Sequence, residues 1–130
     1  MKYTDLLESK IVLAKDSGIK IDTSEINPIL YPHQRDIVRW AAIGGRRAIF
    51  ASFGLGKTFM QIELCRLIQK HSGGKTLIIC PLGVKQEFTE DARKLGVEIE
   101  YVRTDSEVEN AKTPFLITNY ELMYRDWETR

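Results

Sequence analysis

The sequence predicts an α/β domain in which a parallel sheet is covered by helices on both faces. The first observation is that segments of strand character alternate with segments of helical spacing along most of the chain. The second is that residues 75–80 and 114–118 are almost continuously apolar, as expected of parallel strands buried on both faces. The third is that glycines mark the ends of several segments, as at Gly44-Gly45, Gly73-Gly74 and Gly96.

The predicted elements of the first half lead up to a glycine-rich loop. They are a helix (3–15), a short extended piece (19–22), a polar turn (23–28), a helix from Pro32 to Gly44, a strand (47–51) and a helix (59–70). Pro32 suits the first turn of its helix, because the missing N–H has no partner there in any case.

The predicted elements of the second half continue the alternation. They are a buried strand (75–80), a helix (84–95), an edge-like strand (97–102), a surface turn or short helix (105–110), a buried strand (114–118) and a helix beginning at Asn119. Because parallel sheets bind ligands beyond the carboxyl ends of their strands, the loops at that edge are the first places to look for a site.

Composition limits the class of protein. The chain has 130 residues and a net charge of +1, which fits one domain and gives no general electrostatic argument for nucleic acid. Cys65 and Cys80 are too far apart for a metal-ligand pair, so two reduced core thiols in a cytosolic protein are expected. No apolar run reaches membrane-spanning length, and the first residues do not form a signal peptide.

Residues 51–58 have the spacing of a phosphate-binding loop, with Ala51 in place of the first glycine. Gly54 and Gly56 allow the backbone to wrap closely around an anion. Lys57 would place its charge on the β- and γ-phosphates, and the Thr58 hydroxyl would ligate Mg²⁺. The alternative is a glycine-rich turn that binds nothing, and the flanking strand and helix favour the nucleotide site.

Gln34 has a carboxamide, which offers the donor and the acceptor that the edge of adenine requires. The alternative is a polar residue on the exposed face of an amphipathic helix, and spacing alone favours this alternative.

Four stretches together resemble a known family. They are residues 30–34 (Leu30-Tyr31-Pro32-His33-Gln34), 51–58, 77–82 and 116–121. In this order they resemble superfamily 2 helicases, and they are closest to the SNF2-like, DEAD/DEAH-box branch, as found in bacteriophages and prophages. The resemblance covers about residues 30–124.

The resemblance implies a RecA-like P-loop NTPase lobe at 30–130, preceded by an accessory helix and lead-in at 1–29. It implies ATP and Mg²⁺ as cofactors, and nucleic acid, double-stranded DNA above all, as the partner. Gln34 would read adenine, and Lys57 and Thr58 would act in catalysis. The implied phosphate loop consists of Ser52, Phe53, Gly54, Leu55, Gly56, Lys57 and Thr58. The implied nucleic-acid contacts are Pro81, Leu82, Gly83, Thr118, Asn119 and Tyr120.

The sequence departs from the family at one motif, an apolar strand that ends in Asp-Glu, which is not found here. We therefore expect weak nucleotide binding and very slow hydrolysis. One interpretation is the N-terminal part of a longer helicase, acting in a bacterial or phage-infected cytoplasm beside a second RecA-like lobe. The alternatives are a catalytically incomplete binding module and an unrelated P-loop kinase or packaging ATPase, in which Gln34 has no role.

Overall fold

The computed structural model of the chain describes residues 2–10, 15–51 and 56–122. The helices are α1 (Tyr3–Lys10), α2 (Pro32–Gly44), α3 (Lys57–Ser72), α4 (Lys85–Lys94) and α5 (Asp105–Glu109). The strands are β1 (Thr76–Cys80), β2 (Ile99–Tyr101) and β3 (Phe115–Asn119), and short 3-10 turns cover Thr23–Glu25 and Leu82–Val84.

The three strands form a parallel sheet in the order β1-β3-β2. Helix α4 lies between β1 and β2 in the chain and α5 lies between β2 and β3, and parallel strands require crossover connections of this kind. The predicted mixed α/β class and the edge position of the 97–102 strand are therefore confirmed.

One face of the sheet packs against the helices. Ile78 of β1 and Ile117 of β3 are register partners, so they lie on the same face. They share one apolar core with Leu67 of α3 and with Phe88 and Ala92 of α4. The spacing of apolar residues predicted for the 84–95 helix is confirmed, because Phe88 and Ala92 are its buried positions.

The other face is only partly covered. Leu77 and Ile79 expose 47% and 37% of their surface, whereas Leu116 and Thr118 beside them on β3 are buried. The prediction that the 75–80 run is buried on both faces is therefore wrong. The reason is position, because β1 lies at an edge of the sheet and β3 lies at its centre.

The prediction of a strand at residues 47–51 is also wrong. These residues belong to no strand, and Phe50 is 97% exposed. The end of α2 is held by the lead-in segment instead, since the Ser17 N–H donates to the Gly44 carbonyl at 3.0 Å. Arg47 then pairs with Asp16 at 2.9 Å. These contacts direct residues 45–47 towards the lead-in and not towards the sheet.

Two predicted helices differ from the observed helices at their carboxyl ends. Of the helix predicted over residues 3–15, residues 3–10 are helical and form α1. Lys15 lies outside the helix, and residues 11–14 are not among those described. The predicted helix after β3 is present at residues 120–122, and its continuation to Met123 lies outside the described residues.

Charged groups fasten the lead-in to α3. Glu63 is fully buried and accepts from the Asn27 N–H at 3.2 Å and from the guanidinium of Arg66. Arg66 also donates to the Glu25 carbonyl at 2.8 Å. The buried Glu63 charge is therefore paired and hydrogen-bonded, as burial of a carboxylate requires.

Glu25 is the second anchor of the lead-in. Its carboxylate accepts from the Asp22 N–H at 2.9 Å and from Lys70 at 3.2 Å, and it lies 2.9 Å from His71 Nε2. The hydrogen bond from Asp22, with the contacts from Lys70 and His71, lowers the pKa of Glu25 from 4.5 to about 2. The ionised form is therefore favoured in the folded chain.

We predict that this carboxylate makes the fold sensitive to acid. A lowered folded-state pKa contributes stability that is complete above about pH 4.5 and is lost as the pH falls towards 2. The Glu25→Gln variant should be less stable at pH 7 and should lose less stability between pH 5 and about pH 2, as measured by urea unfolding. The control is Glu98→Gln, since Glu98 is exposed. The same pH dependence in Glu25→Gln and in the unaltered chain would contradict the assignment.

Candidate functional site

Gln34 lies in the first turn of α2 and is only 5% exposed. The Tyr31 N–H donates to its Oε1 at 2.8 Å, so the carboxamide folds back over the start of the helix. The interpretation of Gln34 as a polar residue on an exposed helix face is therefore wrong. Burial of a carboxamide is unfavourable unless its N–H and C=O groups form hydrogen bonds, so the surroundings of Gln34 must offer polar partners.

The Gln34 carboxamide lies against Gly56, the residue that precedes α3. Gly56 has a φ of +72°, a left-handed conformation that favours glycine. A β-carbon at this position would also overlap Gln34 Nε2. Two elements that are distant in the sequence, the start of α2 and the residue before α3, therefore meet at a backbone position whose conformation and close contact both favour glycine.

The start of α3 is suited to an anion. The helix has 16 residues and no acidic residue in its first turn, while Lys70 and His71 lie in its last turn. A helix of this length directs partial positive charge at its amino end. Lys57 is exposed there and Thr58 is partly buried, so both can contribute to a site. The other predicted loop residues, Ser52, Phe53, Gly54 and Leu55, lie outside the described residues.

The two predicted strand-end loops are adjacent in the fold. Cys80 is the register partner of Asn119, so the residues that follow them, Pro81 and Tyr120, lie at the same carboxyl edge of the sheet. Leu82 and Tyr120 expose 57% and 55% of their surface there. Pro81 and Gly83 are also exposed.

The predicted residues Thr118 and Asn119 are buried. Asn119 Nδ2 donates to the Tyr101 hydroxyl at 2.9 Å, and Asn119 Oδ1 accepts from the Leu122 N–H at 3.0 Å. Asn119 therefore ties β2 to β3 and caps the turn of helix after β3. Tyr120 is the exposed side chain of the predicted 118–120 group.

A group of side chains that no sequence motif indicates also lies at this edge. Lys85 Nζ lies 3.8 Å from the centre of the Tyr101 ring, and the Arg103 guanidinium lies 5.5 Å from it. These residues come from the start of α4, the end of β2 and the following loop. Their separation in the sequence gives no signal of contact, although Arg103 directly follows the strand predicted at 97–102.

Electrostatics at the edge are mixed. Burial raises the pKa of the Cys80 thiol, the negative charge of Glu121 raises it further, and the positive charge of Lys85 opposes this effect. Burial likewise raises the pKa of Cys65, so both free thiols are protonated and poorly reactive at neutral pH.

Within the described ranges, no three His, Cys, Asp or Glu side chains lie close enough together to hold a metal ion.

We predict that a methyl group at Gly56 disrupts the contact with Gln34. The matched control is Gly73→Ala, because Gly73 ends α3 with a similar φ of +75° and has open space around it. Both substitutions introduce left-handed strain of about 1 kcal/mol. Gly56→Ala should be more destabilising than Gly73→Ala in urea unfolding, and adding Gln34→Ala should recover part of the difference.

An equal loss of stability in the two alanine variants would show that Gln34 does not press on Gly56. The comparison is sensitive to the contact itself, because the backbone strain is shared by both variants.

Comparison with known proteins adds no relative. No protein-family model matches the chain, and no curated protein sequence matches it. In the part of the chain that the structure describes, no helix is both long enough and apolar enough to cross a membrane.

Proposed function

We propose that this chain is the ATP-binding part of an ATP-dependent helicase or translocase that acts on DNA. The observation that supports this proposal best is the contact between the buried Gln34 carboxamide and Gly56. A glutamine beside a phosphate loop can read a base while the loop holds the phosphates.

The residues around Gly56 would each contact a different part of a nucleotide. Gln34 Nε2 can donate to adenine N7, and Gln34 Oε1 can accept from adenine N6–H with its second lone pair. The amino end of α3 and Lys57 would hold the phosphates. Mg²⁺, when bound through Thr58, supplies positive charge to the phosphate oxygens. The glycine at 56 fits this role, because a β-carbon would block the approach of the loop to Gln34.

The nucleic-acid partner is supported by the carboxyl edge of the sheet. The loop that begins at Pro81 and the residue Tyr120 come together there, with the side chains of Leu82 and Tyr120 exposed. In this proposal, the backbone N–H groups of these loops would hold a phosphate backbone without reading its sequence.

Turnover requires more than a phosphate loop. Among the described strands, β1 ends at Cys80, β2 at Tyr101 and β3 at Asn119, so none of them supplies an Asp-Glu pair. Because phosphoryl transfer depends on several groups acting together, we expect this chain to bind ATP with little hydrolysis. The same observation favours, as the second candidate, a nucleotide- or nucleic-acid-binding module without turnover.

The proposal predicts a nucleotide affinity that depends on Lys57. Lys57→Ala should weaken binding of a fluorescent ATP analogue with Mg²⁺ by about 10- to 100-fold, because a charge-assisted hydrogen bond contributes about 1.5–3 kcal/mol. The control is Lys20→Ala, since Lys20 is exposed in the lead-in. Unchanged affinity in Lys57→Ala would contradict the phosphate site.

The base preference is tested in the same assay. The unaltered chain should bind ATP more tightly than GTP, and Gln34→Ala should remove most of this preference. Urea unfolding checks that the variant still folds, because Gln34 also holds the Tyr31 N–H. Equal affinity of the unaltered chain for the two nucleotides would favour an unrelated P-loop protein.

A further inference from the structure

Glu63 is a fully buried carboxylate in the middle of α3. Its Oε1 accepts from the backbone N–H of Asn27 at 3.2 Å, and its two oxygens accept from Arg66 Nε at 2.9 and 3.2 Å. Arg66 in turn donates to the Glu25 carbonyl at 2.8 Å. Two backbone groups of the lead-in, the Asn27 N–H and the Glu25 C=O, are therefore held from a single turn of α3.

Net stability is a weak reason for a charged pair at this place. The side chain of Glu63 is 0% exposed and that of Arg66 is 28% exposed, so both charges have lost much of their contact with water. The cost of this desolvation offsets most of the attraction between two buried charges, and apolar side chains often replace such pairs without loss of stability. Apolar side chains could not bind backbone groups of the lead-in. The pair therefore serves to fix where the lead-in lies along α3.

A short hydrogen-bonded segment leads from Asn27 to Gln34. The Leu30 N–H donates to the Asn27 carbonyl at 3.2 Å and the Ile29 N–H donates to Asn27 Oδ1 at 3.1 Å, which closes a turn. Leu30 is buried in the core at the end of this turn. The next residue, Tyr31, donates its N–H to Gln34 Oε1 at 2.8 Å. A shift of the turn along α3 would therefore move the Gln34 carboxamide.

The segment contacts α3 at both of its ends. Gly56 lies at the amino end of α3, and Glu63 lies about two helical turns further on. The Gln34 carboxamide contacts the first of these positions, and the Asn27 N–H contacts the second. The Glu63–Arg66 pair and the Gln34–Gly56 contact are therefore the two ends of one docked segment.

We propose that the Glu63–Arg66 pair positions Gln34 for base selection. The pair holds the lead-in at one register on α3 and thereby sets the Gln34 carboxamide against Gly56. Glu63 and Arg66 are positioning residues, because they act through the lead-in and not on the nucleotide. This inference rests on the proposed function and deepens it, because it makes the preference for adenine depend on a buried carboxylate remote from the phosphate loop.

The experiment titrates the full chain, in the presence of Mg²⁺, with fluorescent analogues of ATP and of GTP. The test variant is Glu63→Met with Arg66→Met, which removes both charged groups and keeps unbranched side chains. We expect the ratio of ATP affinity to GTP affinity to fall about tenfold, towards that of Gln34→Ala, because hydrogen bonds to the base are lost. The affinity for GTP should stay nearly unchanged, since Lys57 and the start of α3 are not altered.

A conservative variant separates positioning from stability. In Glu63→Gln the amide oxygen can still accept from the Asn27 N–H, whereas Arg66 loses its counter-charge. We therefore expect Glu63→Gln to lose stability in urea unfolding and to keep most of the preference for ATP.

The control for stability is Leu116→Val. Leu116 is buried, but it precedes Ile117 in β3 and so faces away from the core that Ile117 shares with α3. The substitution leaves a small cavity and should lower the stability without changing the ratio of the two affinities. Urea unfolding confirms that each variant is folded under the conditions of the titration.

A second readout needs no nucleotide. A ¹H–¹⁵N NMR spectrum of the free chain follows the Gln34 side-chain amide and the Asn27 backbone amide. In the test variant both signals should shift, and the Gln34 amide should exchange faster with solvent. In Leu116→Val both signals should stay in place.

The outcomes distinguish this inference from the proposed function. If the test variant keeps the ATP preference of the unaltered chain, or if Leu116→Val loses as much of it, the inference is wrong and the nucleotide site stands. If the preference in Glu63→Gln falls in proportion to the loss of stability, the pair is only structural and the inference is overturned.

If the unaltered chain binds neither nucleotide, the proposed function fails, and the nucleotide-free spectra decide the inference. Unchanged Gln34 signals in the test variant would then overturn it, whereas shifted signals would support the positioning of Gln34 by the pair.

Discussion

The contact between the Gln34 carboxamide and Gly56 is the constraint on which the candidate site depends. It requires α2 to begin where the loop before α3 ends, and a β-carbon at residue 56 would displace the Gln34 amide from its position. The cap from the Tyr31 N–H fixes the carboxamide from the other side. The packing of α2 and α3 in one core keeps the two elements in place, with Val38 of α2 and Met60 and Leu67 of α3 among its buried members. In the function that we propose, the Gln34 carboxamide would use both its donor and its acceptor on a base.

The sheet organises a second region at its carboxyl edge. Parallel pairing with the register Cys80–Asn119 places the ends of β1 and β3 side by side, and β2 adds Tyr101 on the other side of β3. The edge therefore collects exposed apolar side chains, two cations and a ring within a small area. Its chemistry differs from that of the Gly56 region, because it offers side-chain charge where the start of α3 offers backbone N–H groups and one lysine. The function that we propose would assign the nucleotide to the Gly56 region and the nucleic acid to the carboxyl edge.

The sequence was sufficient for the element types wherever local pattern and tertiary environment agreed. The spacing of Phe88 and Ala92 predicted α4, and the alternation around Ile99 predicted an edge strand. The sequence pattern gave the wrong structure where the position of a segment in the tertiary fold decided its conformation or its burial. The run 47–51 has strand character, but the contacts of Ser17 and Arg47 hold the adjoining chain at the lead-in. Leu77 and Ile79 are as apolar as their neighbours, yet an edge strand leaves them exposed. The motif residues of the candidate site were proposed from the sequence, but the burial of Gln34 and the convergence of Lys85 and Arg103 on Tyr101 depend on packing between distant segments. No periodicity in the sequence encodes such contacts.

The most direct test of the central claim is a ¹H–¹⁵N NMR titration that follows the Gln34 side-chain amide and the Gly56 backbone amide. The account predicts that Mg²⁺-ATP shifts both signals with the same midpoint, because the two groups belong to one site. Mg²⁺-GTP should shift Gly56 and leave the Gln34 side chain little changed, since guanine presents acceptors at N7 and O6 where adenine has one acceptor and one donor. An ATP titration in which neither signal moves, or in which the two signals move with different midpoints, would contradict the claim that Gln34 and Gly56 form one nucleotide site.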